Sequence, residues 1–272
     1  MAACEPRRTA VSVRAMSTFT LHQGSAPLLV SCPHDGTELP GDIAARLTAK
    51  ALGVPDTDWH VARLYDFARE LGASLLVPRC SRYVIDLNRP PDDASLYPGQ
   101  NTTGLCPLVG FDGEPIYQEG MAPDADEIAI RRERYWRPYH DALAAELSRI
   151  QAAHGRAVLW EAHSIRGVVP FLFEGRLPDL NLGTSAGASC SVDRQARLEA
   201  VLQGQSAYDW VANGRFKGGH ITRNYGDPAN GIDAVQLEIS QRCYMDEDSF
   251  EYDGKKAASL QAVLRALLET CV

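Results

Sequence analysis

Short apolar runs alternate along the chain with stretches of helical period, and few architectures accommodate that alternation. PLLVSC (27–32) reads as a buried strand ending in turn residues. Residues 41–52 then place Ile43, Leu47 and Leu52 near helical spacing, and residues 58–72 bring His60, Leu64, Phe67 and Leu71 onto one face. Asp58 stands where an N-cap belongs and Gly72 where a C-cap belongs. ASLLVP (73–78) and RYVIDL (82–87) read as further strands. A long helix over 128–150 carries the stripe Tyr135, Tyr139, Leu143, Leu147 and Ile150, with Pro138 placed to kink it. AVLWEAHS (157–164) is the next strand, and residues 193–211 the next helix. DAVQLEIS (233–240) alternates strictly, Val235, Leu237 and Ile239 against Gln236, Glu238 and Ser240. Residues 255–270 form a last helix. The pattern predicts an α/β fold: three layers, α/β/α, around a mostly parallel central sheet.

No repeat or interdomain linker interrupts the 272 residues, so residues 16–272 are expected to form a single α/β domain. Residues 1–15, ahead of Met16, read as a disordered extension or an over-long start. Two loop-rich stretches, 89–125 and 165–191, lack a clean period, and such long excursions in a compact domain are usually functional. The net charge of −8 argues against a nucleic-acid partner. Seven scattered cysteines with no CxxC make neither a disulfide framework nor a cysteine zinc ribbon, and point to buried thiols in a reducing compartment. No apolar run approaches the ~20 residues of a membrane span, and the opening lacks the apolar core of a signal peptide. The expected location is cytoplasmic.

Polar residues accumulate where the strands end, which is where open α/β sheets place their sites. His34 follows the first strand. Arg82, Asp86, Asn88 and Arg89 surround YVIDL. Glu161 and His163 end AVLWEAHS, and Glu238 lies in the alternating strand. NGRFKGGHITRNYG (213–226) adds Arg215, Lys217, His220 and Arg223. A hydrolytic metal site needs three protein ligands and one open position. His34 and His163 can converge from two strand ends, with Glu38 or Asp58 as the third ligand; each histidine alone could equally satisfy a local hydrogen bond. Arg89 and Asn88 can grip a carboxylate and Arg82 can polarise a carbonyl; the plain alternative is a salt bridge to Asp86. GTSAG (183–187) matches the G-x-S-x-G elbow around Ser185, but LPDLN before it does not read as a strand and no helix follows directly, so a glycine-rich loop is preferred. Cys32 reads as a packing thiol.

PHDGTELP, DTDWH, SRYVIDLNRP, YPGQNTTGLCP, EAHSIRG, LPDLNLGT, NGRFKGGHITRNYG and QLEISQRCYMDE together resemble the N-formylglutamate deformylase (N-formylglutamate amidohydrolase) family, over about residues 18–270. That family is similar in turn to zinc carboxypeptidases and aspartoacylases, which implies a zinc exopeptidase (phosphorylase/hydrolase-like) fold. The implied reaction is zinc-dependent hydrolysis of N-formyl-L-glutamate to L-glutamate and formate, the last step of one bacterial histidine-degradation route. The resemblance implies zinc ligation by His34, His163 and Asp58, with Glu38 as the alternative to Asp58. It implies water activation by Glu238, carbonyl polarisation by Arg82 and α-carboxylate binding by Asn88 and Arg89. A second carboxylate is left to Arg215, Lys217, His220 or Arg223. The implied partner is a small dianionic N-acyl amino acid, with no nucleic acid or membrane; homo-oligomerisation stays open. Two alternatives remain: an amidohydrolase for another N-acyl acidic amino acid, and a non-catalytic binder of acidic amino acids.

Overall fold

The computed structural model describes residues 17–95, 99 and 102–272, so the expectation for residues 1–15 lies outside the described residues. A seven-stranded sheet runs through the molecule: β1 (Phe19–His22), β2 (Leu28–Ser31), β3 (Ser74–Pro78), β4 (Ala157–Ile165), β5 (Leu180–Gly183), β6 (Trp210–Ala212) and β7 (Ile232–Ser240). Their spatial order is β1-β3-β2-β4-β7-β5-β6. Four of the six pairings are parallel; β1–β3 and β5–β7 are antiparallel, so the sheet is mixed. The helices are α1 (Gly41–Ala44), α2 (Val61–Leu64), α3 (Ala125–Arg131), α4 (Arg137–His154), α5 (Val192–Gln203), α6 (His220–Tyr225) and α7 (Gly254–Glu269). Among the described residues no helix is long and apolar enough to cross a membrane.

The strand alternation sorts side chains into two cores. Val30, Val158, Trp160, Ala162, Val235 and Leu237 face α5 and α7, which contribute Leu198, Leu202, Leu260 and Leu264. Leu29, Leu76, Leu159 and Ala234 face α4, whose Tyr139, Leu143, Leu147 and Ile150 close the opposite layer. Each fully buried Val, Leu or Ile side chain among them contributes about 1.5–3 kcal/mol.

Three expectations need correction. RYVIDL is a buried turn, not a strand: the Val84 N–H donates to Ser81 O, the Asp86 N–H donates to Leu105 O, and Tyr83, Val84, Ile85 and Leu87 fill the α4-side core. An apolar run states burial and leaves conformation open. Residues 41–52 and 58–72 are not continuous helices but short helical turns, and Asp58 caps neither. The capping carboxylate of α2 is Asp35, which accepts from the Ala62 N–H at 2.9 Å. The helix expected over 193–211 stops at Gln203, and β6 follows.

The expected kink at Pro138 takes a specific form. Residues Arg132–Trp136 make one π-turn between α3 and α4. Pro138 has no N–H and its ring crowds the carbonyl of Arg134, so the helix widens just ahead of it.

Candidate metal centre and cleft

The α4-facing side of the sheet changes character along its strands. Leu29, Leu159 and Ala234 are apolar and lie toward the strand starts; Ser31, Glu161, His163, Gln236 and Glu238 continue the same face toward the strand ends. Register fixes their neighbours: Ser31 pairs with Glu161, Glu161 with Gln236 and His163 with Glu238. The chain leaves β2 toward β3 on one side, and β4 lies on the other. The crevice between the ends of β2 and β4 is therefore a topological switch point, the usual place for a ligand in such sheets.

Three loops complete the crevice. The turn after β2 carries His34, and Gly36 lets it pass so close to the backbone at Arg79 and Cys80 that a Cβ would lie 2.3 Å from Cys80 O. The Asp58 N–H donates to His34 O at 3.1 Å, which ties the second loop to the first. Asp58 Oδ2 then lies 2.9 Å from Nδ1 of His163 and 3.7 Å from Nδ1 of His34, and accepts from the Ser164 N–H at 3.0 Å. One ligand atom from each of His34, Asp58 and His163 lies within 4.8 Å of the others, and all three residues are buried.

The outer imidazole nitrogens are also partnered. His34 Nε2 is 2.6 Å from Asp86 Oδ1, and His163 Nε2 is 2.9 Å from the Asn88 amide nitrogen, with Glu161 Oε1 3.6 Å away. A carboxylate behind the outer nitrogen is a usual means of aiming a metal-ligating histidine, and Asp86 takes that place behind His34. Burial alone would lower the His163 pKa, but Asp58 and Glu161 outweigh it and lift it to about 10. Glu161 is fully buried, with Oε2 lacking a hydrogen-bond partner. A buried centre this rich in carboxylate oxygen favours positive charge, and the His₂–Asp donor set fits a divalent ion. The group could hold a metal.

Electrostatics around the centre divide the carboxyls by role. Burial would raise Asp86, but His34 and the Arg82 guanidinium 2.7 Å away hold it well below the ordinary carboxylate range. Burial dominates at Glu238 and lifts it to about 7, against the pull of His163 and Arg82. A carboxyl poised near neutrality can both take and return a proton.

These groups line a cleft that opens to solvent, together with Asn88, Arg89, Thr103, Phe111, Arg215 and Phe216. Asn88 is oriented by the Ile221 N–H, which donates to its Oδ1 at 2.8 Å, so its amide nitrogen points at His163. Arg89 Nε lies 3.8 Å from Asp86 and Arg89 also reaches Thr103. Arg215 enters from the far wall, donating to Leu172 O at 3.2 Å and stacking on Phe216.

Other expected residues lie elsewhere. Glu38 is outside the centre, exposed and paired with Arg79 at 2.7 Å. His220 packs among Trp136 and His140, Arg223 donates back to Gly218 O, and neither they nor Lys217 line the cleft. The GTSAG segment does follow a strand, β5, contrary to its sequence reading, because β5 is a short edge-side partner of β7 with a polar Asn181 in it. Ser185 nonetheless lies off the cleft, and among the described residues no histidine hydrogen-bonds its hydroxyl. Cys32 is fully buried in the α5/α7-side core, and burial pushes its thiol well up. The carboxylate role of Asp86 toward His34 was hidden in sequence behind its plausible salt bridges; the adjacent Asn88-Arg89 pair was the only local signal.

A His–Asp–His group that could hold a metal, at a sheet switch point with the Glu238 carboxyl beside it and cationic walls, fits a hydrolase centre. Residues 26–245 match the family description N-formylglutamate amidohydrolase. The chain is 55% identical over 253 residues to an N-formylglutamate deformylase of Pseudomonas aeruginosa, covering 93% of this chain and 95% of that one. It is 52% identical over 252 residues to one of Pseudomonas putida, covering 92% and 94%. The crystal structure of an N-formylglutamate amidohydrolase from Ralstonia eutropha JMP134 superposes with a TM-score of 0.79 at 28% identity, covering 93% of this chain and 97% of that one. The chain belongs to the N-formylglutamate amidohydrolase family.

Proposed function

We propose that the protein hydrolyses N-formyl-L-glutamate to L-glutamate and formate, with zinc held by His34, Asp58 and His163. One observation carries the reading: the His–Asp–His group, Glu238 and the guanidinium groups of Arg82, Arg89 and Arg215 line the same cleft. When bound, the metal ion supplies Lewis acidity toward the formyl oxygen and toward water.

The chain's own groups do the rest. Glu238 takes a proton from the attacking water as the water oxygen bonds to the formyl carbon. It then delivers that proton to the nitrogen as the C–N bond breaks, so the amine leaves neutral. Arg82, held at 2.7 Å by Asp86, donates to the oxygen on which negative charge develops. Asn88 and Arg89 take the α-carboxylate, with the guanidinium suited to bidentate grip. Of the four cationic candidates in 213–226, Arg215 is the one lining the cleft, and we assign it to the side-chain carboxylate. Two opposed arginines reconcile a protein of net charge −8 with a dianionic substrate.

Formate, acetate and succinate release from the three N-acyl glutamates tests the reading. Formate release should exceed the others by at least an order of magnitude; preference for acetyl or succinyl substrate would overturn it.

A further inference from the structure

The turn 86–89 belongs to no strand or helix, yet its Leu87, Asn88 and Arg89 are largely buried. A buried carbonyl without a ladder must find a donor elsewhere. Here each does, in sequence. His140 Nε2 donates to Leu87 O at 2.8 Å, the His220 N–H to Asn88 O at 3.3 Å, and Trp136 Nε1 to Arg89 O at 3.0 Å. Gly219 closes against the Asn88 side chain so tightly that a Cβ would lie 2.4 Å from its amide nitrogen.

Trp136 and His140 sit one turn apart, and their rings stack with centroids 3.6 Å apart and planes at 15°. Leu87 O can only accept, so the proton of the neutral His140 ring sits on Nε2, and Nδ1 faces the Tyr225 hydroxyl at 2.9 Å as an acceptor. The π-turn Arg132–Trp136 ends on the first member of this pair. One extra residue in the turn rotates the helix that follows. Tyr139 and Leu143 then face the sheet while Trp136 and His140 face the 86–89 turn. π-turns of this kind recur at functional sites.

We propose that Trp136 and His140 are positioning residues for the α-carboxylate grip: their ring N–H groups hold the Arg89 and Leu87 carbonyls and thereby aim Arg89 and Asn88 into the cleft. The inference rests on the reading of Asn88 and Arg89 as carboxylate binders, and it adds residues from a helix that does not line the cleft.

Trp136→Phe removes the indole N–H and keeps an aromatic ring to stack. Its formate release is compared with wild type on N-formyl-L-glutamate and on N-formyl-4-aminobutyrate, which lacks the α-carboxylate. The expected result is a KM raised about tenfold on the first substrate, with kcat changed less than about threefold, and no change in KM on the second. His140→Leu should behave like Trp136→Phe, and His140→Gln, which restores an N–H donor, should recover most of the loss. Equal loss on both substrates, or no loss, would overturn the positioning role. Arg89→Ala separates this from the underlying reading: if it fails to discriminate the two substrates, the carboxylate assignment itself is wrong. No formate release by the wild-type chain would overturn both together.

Discussion

His34 turns its Nε2 onto Asp86 Oδ1 at 2.6 Å and so leaves Nδ1 facing Asp58. The same carboxylate takes the Arg82 guanidinium through its other oxygen at 2.7 Å. One buried acid thus aims a candidate metal ligand and a candidate oxyanion donor. Replacing it should loosen both. Asp86→Asn is expected to weaken zinc binding about 10–100-fold in competition with a chromogenic chelator. Unchanged affinity would mean that His34 needs no such support.

Placement favours Asp58 over Glu38 as the third ligand of the proposed metal. Asp58 touches both histidine Nδ1 atoms, whereas Glu38 is exposed and bound to Arg79. Asp58→Ala should lose stoichiometric metal; Glu38→Ala should retain it and change stability by no more than about 1 kcal/mol, the usual limit for an exposed ion pair. Metal analysis of the two purified variants reads the difference directly.

Arg215 and Arg89 should fail differently. With N-formyl-L-norvaline, which lacks the side-chain carboxylate, Arg215→Ala should cost little relative to wild type, and Arg89→Ala should still cost about tenfold or more in kcat/KM. With N-formyl-L-glutamate both variants should lose that much. Equal behaviour of the two variants on both substrates would refute the division of labour between them.

His140 gives the fold a measurable pH dependence. Burial pushes its pKa down to about 3, against an ordinary 6.5. Between those values an unfolded chain binds a proton that the folded chain refuses, so stability must fall as pH falls across that window. The contribution of one such group is about 1.4 kcal/mol per pH unit. Denaturant titrations at pH 6.5 and 5 should show His140→Gln losing less stability on acidification than wild type. An identical loss would show that His140 takes up its proton in the folded state.

Much of this architecture was legible in the residues, for physical reasons that can be named. The strict alternation of 233–240 reported a strand with Glu238 on the face opposite Val235 and Leu237, and β7 is that strand. His34 and His163 were readable as strand-end residues because β2 and β4 are continuous apolar runs with polar ends. Their adjacency across a sheet depended on register; the preference for Asp58 over Glu38 came from the family resemblance, and loop approach is what places Asp58 beside both histidines. RYVIDL misled because burial on both sides looks alike in a strand and in a packed turn. The Trp136–His140 pair was missed: i,i+4 spacing puts both rings on one helix face, but nothing in the sequence says that this face meets the 86–89 turn. The cause of the π-turn, Pro138, was in plain view, but a proline states that a helix is disturbed without stating how.

A metal at His34, Asp58 and His163 should be what makes the chain hydrolyse a formyl amide. The most direct test measures zinc content of the purified protein beside formate release from N-formyl-L-glutamate, before chelation, after chelation and after zinc is restored. The expected result is about one zinc ion per chain, loss of formate release on its removal, and recovery on its return. Undiminished release from metal-free protein would contradict it.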